Sequence, residues 1–116
     1  MSFIETINNS KVILTEGAIV ERMKAEYKVV LDPHINHAGL IYTHPEILTK
    51  LYSQYIDIAQ SYNLPIMLMT PTRRVNYESL KQSSYREKPV LEHSCSLLIN
   101  LKESYQSFAS KNMIGG

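Results

Sequence analysis

Residues Pro65-Ile66-Met67-Leu68-Met69 are apolar at every position, and this run constrains the fold more than any other. It is too short for a helix of its own. Leu64-Pro65 also closes the helical pattern before it, because proline disfavours helix in the residue that precedes it. In an extended chain successive side chains point to opposite faces, so a strand apolar at every position asks for cover on both. That pattern belongs to parallel sheets flanked by other elements. The run ends at Thr70-Pro71-Thr72-Arg73-Arg74. A plain turn draws on Gly, Asn or Asp, whereas hydroxyls and guanidinium groups at a strand tip suit a ligand.

The rest of the chain alternates. Lys11-Val12-Ile13-Leu14 reads as a first buried strand ending at Thr15-Glu16-Gly17. Residues 18–26 read as a first helix, and residues 27–42, rich in breakers, as irregular. Thr43-His44-Pro45-Glu46 predicts a helix start with Thr43 as the cap and Glu46 reaching back to it. The apolar face of that helix runs through Leu48, Leu51, Tyr52, Tyr55, Ile56 and Ala59. A short helix over 76–84 follows. A longer one begins near Pro89 and continues through Leu91, Leu97, Leu98, Leu101, Tyr105 and Phe108, and Met113-Ile114-Gly115-Gly116 opens a third strand. Strands separated by helices imply right-handed crossovers and a parallel α/β sheet.

Composition narrows the function classes. A chain of 116 residues with 44% hydrophobic content can build one ordinary domain. A formal net charge of +1 gives no general attraction to nucleic acid or to acidic membranes. No run approaches the roughly 20 apolar residues that span a bilayer. Residues 1–6 lack the basic start and apolar stretch of a signal peptide, so a cytoplasmic protein is expected. The single cysteine, Cys95, excludes an internal disulfide and a multi-cysteine zinc site, and its plainest role is a small buried side chain. Eight tyrosines suit either an interface or the margins of a core.

The order and spacing of several motifs resemble those of the homocysteine S-methyltransferases, zinc-dependent (β/α)₈ barrels. Thr70-Pro71-Thr72-Arg73-Arg74-Val75-Asn76 is similar to that family's Thr-Asn-Thr-Tyr-Gln-Ala loop, and closer to a variant branch with Thr-Pro-Thr-Trp-Arg-Ala-Asn. His44-Pro45-Glu46-Ile47-Leu48 resembles its Asn-Pro-Glu-Leu-Val helix start, and Tyr55-Ile56-Asp57 continues that match. Ile114-Gly115-Gly116 falls where the family's third strand ends in Ala-Gly-Ser. Leu14-Thr15-Glu16-Gly17 sits at a Leu-Asp-Gly-Gly-like turn. The family's Asp falls on Thr15 there, and its Gly-Thr on Ile19-Val20.

The resemblance implies that residues 1–116 are the N-terminal portion, about three strands, of such a barrel, since a complete one needs about 250 residues. It implies transfer of a methyl group to the thiol of homocysteine. It also implies a substrate rim of Glu16, Gly17, Thr70, Thr72, Arg73 and Arg74, with no catalytic residue and no metal ligand in this chain. Zinc belongs to the full-length family, held by three later cysteines. A carboxylate such as Glu16 suits an ammonium, and an arginine suits a carboxylate.

Plainer roles stand beside these. Glu16 could be an acid favourable to a helix N-terminus, and the arginines solvated loop residues. His34 and His37, three apart, form a weak metal pair without a third ligand. Two other functions remain open. One is a small α/β binding or assembly module whose open edges pair with another copy. The other is an unrelated α/β domain binding phosphate near residues 70–74, although the glycines that wrap a phosphate are missing.

Overall fold

A computed structural model describes residues 3–115. Three parallel strands lie in the order β1 (Leu14–Thr15), β2 (Ile66–Met69), β3 (Asn112–Gly115), so the central strand is the one that the apolar run predicts. The register pairs Leu14 with Ile66 and Thr15 with Met67, then Ile66 through Met69 with Asn112 through Gly115. Gly116, read with residues 113–115 as a strand, lies outside the described residues, as do Met1 and Ser2.

The helices are α1 (Phe3–Asn9), α2 (Ile19–Arg22), α3 (Leu40–Thr43), α4 (Pro45–Ser61), α5 (Tyr77–Gln82) and α6 (Val90–Glu103). Short 3₁₀ turns cover His37–Gly39 and Gln106–Lys111. Helix α1 has no counterpart in the expectation. Its Phe3, Ile4 and Ile7 are exposed, so it lacks the apolar stripe by which a helix is read. The helix expected over 18–26 divides into α2 and a wide π turn over Met23–Tyr27, anchored by buried Met23.

Three expected boundaries shift. The last helix, expected through Tyr105 and Phe108 to about Ser110, ends at Glu103, and the chain continues as the 3₁₀ turn over Gln106–Lys111. Thr43 is not the cap of α4. His44 takes that place because Pro45 occupies the first helical position, while Thr43 closes α3 with its hydroxyl directed to the Gly39 carbonyl at 3.4 Å. Strand β1 is two residues long, and Lys11 and Val12 before it are exposed. Asn76, in contrast, caps α5 by accepting the Ser79 N–H at 2.9 Å.

The core lies on one face of the sheet. Ile66 and Leu68 of β2, with Leu14 and Ile114 beside them, meet Leu48, Leu51, Tyr52, Ile56 and Ala59 of α4 and Leu98 and Leu101 of α6. The expectation that both faces of β2 are covered fails. Met67 is half-buried and Met69 is 41% exposed, so one face is closed by helices and the other is largely open. There the two methionine sulfurs sit over Gly115, where a Cβ would stand 3.1 Å from the Met69 Sδ. Methionine satisfies an apolar pattern in sequence and still tolerates a wet flank, which is why the run overstated its cover.

Cys95 is also exposed, against expectation. The buried stripe of α6 is Val90, Ser94, Leu98 and Leu101, and a residue next to Ser94 is rotated off it. Leu91 is off the stripe for the same reason.

This one-sided burial sets a measurable contrast. Leu68→Ala is expected to lower unfolding stability by about 2–5 kcal/mol through cavity formation, and Met69→Ala by less than about 1 kcal/mol. Urea titration of the two variants checks it, and equal losses contradict the open face.

Candidate functional site

The C-terminal ends of β1 and β2 converge on a cavity of about 210 Å³ lined by Glu16, Gly17, His37, Tyr52, Thr70 and Arg73, among others. Drug-sized ligands occupy roughly 300–1,000 Å³, so this volume suits a smaller molecule.

The wall is built around the last residue of β2. Strand β1 stops at Thr15, opposite Met67, and leaves the Met69 amide without a strand partner on that side. The Glu16 carboxylate accepts that N–H instead, at 3.2 and 3.3 Å to its two oxygens. The buried Tyr52 donates its hydroxyl to the carbonyl of the same Met69 at 2.8 Å. Tyr55 of α4 donates to the Gly17 carbonyl, which ties the β1 tip to the same helix. Ala18 then takes a left-handed conformation, φ 56°, as the chain turns into α2.

The Thr70-Pro71-Thr72 segment is a tight turn. The Thr72 N–H donates to the Thr70 carbonyl at 2.8 Å, the two threonine hydroxyls bond at 2.7 Å, and Pro71 is fully buried. The Thr70 N–H extends the ladder to β3 by donating to the Gly115 carbonyl at 2.9 Å. A buried proline and a hydroxyl pair thus do what a glycine turn does elsewhere.

Of the residues expected at the rim, Glu16, Gly17, Thr70 and Arg73 share this cavity. Thr72 does not. It faces a neighbouring depression with Thr70, Leu91, Cys95, Ile114 and Gly115. Arg74 is directed elsewhere, to a hollow with Lys24, Asp32, His34 and Asn36. His34 and His37 therefore line different cavities, and among the described residues no group of three or more His, Cys, Asp or Glu is placed to hold a metal. No helix among the described residues is long and apolar enough to cross a membrane.

Two site residues carry other roles in the sequence reading, Tyr52 as core and His37 as half of a metal pair. Tyr52 falls in the apolar stripe of α4 and reads as core, yet its hydroxyl reaches the strand tip. His37 lies in the irregular stretch after α2, and no periodicity marks it.

The electrostatics oppose one another across the cavity. Burial raises the Glu16 pKa, an effect partly offset by the backbone N–H groups that its carboxylate accepts. Burial, reinforced by the charge of Arg73 and opposed by Glu21, pushes His37 down to about 4. His37 is thus a neutral imidazole at pH 7.

The signs give opposite pH dependences. His37 binds its proton less well when folded, so its contribution to stability is complete above about pH 6.5 and is lost as pH falls toward 4. Glu16 binds its proton better when folded, so stability is lost as pH rises through its folded value. His37→Gln is expected to remove a loss on the order of 2–3 kcal/mol between pH 6.5 and 4, read as the difference from wild type in thermal unfolding across that range. Glu16→Gln is expected to stabilise the chain at pH 7 and to gain nothing at pH 4. Destabilisation at pH 7 contradicts the burial argument.

Comparison with known proteins returned no matching family model, no matching curated protein and no matching solved structure.

Proposed function

We propose that this chain is the N-terminal part of a (β/α)₈ barrel of homocysteine S-methyltransferase type, and that its cavity holds the amino-acid end of a thiol substrate. The single observation that carries this reading is the cavity where β1 and β2 end, with both Glu16 and Arg73 in its lining. Barrel enzymes place their sites at the C-terminal ends of parallel strands. The strand order is sequential, β1-β2-β3, as in a barrel, where doubly wound sheets reverse. Helices α4 and α6 pack on one face of β2, as on the outside of a barrel, whereas the open Met67 and Met69 face departs from the two-sided cover expected of a barrel strand.

In this reaction class a bond forms between the substrate sulfur and the methyl carbon, the thiol proton leaves, and the donor departs with the electron pair of its broken bond. Zinc, where the family holds it, keeps the sulfur deprotonated. This chain contributes positioning: Glu16 takes the ammonium, and Arg73 and the Thr70 hydroxyl face the carboxylate.

Calorimetry with L-homocysteine is expected to show binding to the chain that Glu16→Gln weakens tenfold or more, without methyl transfer from S-methylmethionine or S-adenosylmethionine. Turnover by the 116-residue chain alone overturns the view that the thiol is activated elsewhere. A second reading, an assembly module, rests on the exposed Met69 flank and on outer strands β1 and β3, each paired on one side only. A concentration-dependent mass in sedimentation supports it, and a clean monomer at micromolar concentration counts against it.

A further inference from the structure

The two outer strands of the sheet are not alike. β1 is two residues long and lies between Lys11 and Glu16. Brevity and charge are usual means of blunting a strand edge against pairing. β3 has neither. It runs for four residues, Asn112-Met113-Ile114-Gly115, without a charge or a proline.

Hydrogen bonding shows which of its backbone groups are free. Successive residues of a strand direct their polar groups to opposite sides. The Gly115 carbonyl accepts the Thr70 N–H, at the end of β2, at 2.9 Å. Gly115 and Met113 therefore face β2. The N–H and carbonyl groups of Asn112 and Ile114 point to the outer edge, where no strand stands among the described residues.

Beside that edge helix α6 carries an exposed row. Leu91 (54% exposed), Cys95 and Ile99 (48%) recur every four residues, off the buried stripe of the same helix. One depression joins Leu91 and Cys95 to Ile114 and Gly115, and a second joins Ile99 and Lys102 to all four residues of β3. The row thus follows the open strand along its length.

The exposed area has the scale of an interface. The chain exposes 7016 Å², where a folded monomer of 13.3 kDa exposes about 6,450 Å². Its radius of gyration is 14.7 Å, against about 13.4 Å for a compact domain of 116 residues. The surplus of about 560 Å² approaches the roughly 800 Å² that each partner brings to a stable interface.

An occupant has to supply an uncharged strand edge with an apolar helix row beside it. This chain offers that surface itself, and a two-fold axis matches it to its own copy. With the axis at Met113, Asn112 of one copy stands opposite Ile114 of the other, and each such pair exchanges two N–H to carbonyl bonds. The two α6 helices then run antiparallel on one face. The helix end that carries Glu92 lies beside the end that carries Lys102 of the other copy. Such a dimer uses both β3 edges and closes, leaving outside only the blunted β1 edges.

We propose that the β3 edge, with the Leu91, Cys95 and Ile99 row of α6, is the docking surface for a second copy of this chain in a two-fold dimer with one continuous sheet. This rests on the reading of the chain as an assembly module.

The test is sedimentation equilibrium of the 116-residue chain at micromolar concentrations, joined by amide hydrogen exchange. Wild type is expected to reach twice the monomer mass and no more. The Asn112 and Ile114 amides are expected to gain protection as the dimer fills, and the outward Thr15 amide of β1 to gain none. Ile114→Pro removes an outward donor and keeps the bonds to β2, a place where a strand tolerates proline. Ile99→Glu sets a charge in the row. Each is expected to weaken the dimer tenfold or more, and Val12→Glu, beside the β1 edge, by less than twofold. A dimer that both β3-side variants leave intact, or whose Asn112 and Ile114 amides gain no protection, overturns this surface and leaves the assembly reading standing. A mass beyond the dimer overturns the two-fold pairing. A wild type that stays monomeric overturns the surface and the assembly reading together. If Ile114→Pro does not fold, Ile99→Glu and the wild-type exchange decide the matter.

Discussion

The side-chain clasp on Met69 is the interaction on which the candidate site depends. A strand at the centre of a parallel sheet offers backbone groups on both sides, and β1 is too short to meet the last of them. The Glu16 carboxylate completes the ladder from one direction, and the Tyr52 hydroxyl takes the carbonyl of the same residue. A carboxylate accepting a backbone N–H is a stronger partner than a neutral one, so a two-residue strand can still fix the end of its neighbour. Backbone hydrogen bonding thus ties the cavity wall to the end of β2.

That clasp joins the core to the surface. Tyr52 is held by the same packing that buries Leu48, Leu51 and Ile56 against Ile66 and Leu68. The hydrophobic contact of α4 with the sheet thereby sets the height of a polar group at the strand tip. Tyr105 does something similar at the other end of α4, donating to Asp57 at 2.6 Å. Tyr42, Tyr52, Tyr55 and Tyr105 each have a bonded hydroxyl, while Tyr62 and Tyr77 lie exposed.

Much of the fold is legible in local chemistry. Pro65, which closes the helix before it, and Leu98 and Leu101 on the buried stripe of α6 each act within a few residues, so their consequences are visible in sequence. The legible part of the site is the pair of strand tips, because strand ends are where the apolar runs stop. The rest depends on loop conformation. Arg73 and Arg74 are neighbours that diverge into separate hollows, and only Arg73 shares a cavity with Glu16. His37 is carried to the cavity by an irregular stretch with a bridge between Asp32 and Asn36, and no pattern of spacing encodes that path. The open flank of β2 is a third case, since a methionine looks alike in sequence whether its neighbour is a helix or water.

The Glu16 oxygens serve two masters. The amide that steadies the end of β2 and the ammonium proposed above would share one carboxylate, so occupancy and stiffness of this strand would be thermodynamically linked. A ligand that draws the carboxylate away loosens the very edge against which it rests, and a mutation that stiffens the edge by other means frees the carboxylate to bind. Tightness of the empty protein and tightness of its grip are, at this one residue, quantities that trade against each other.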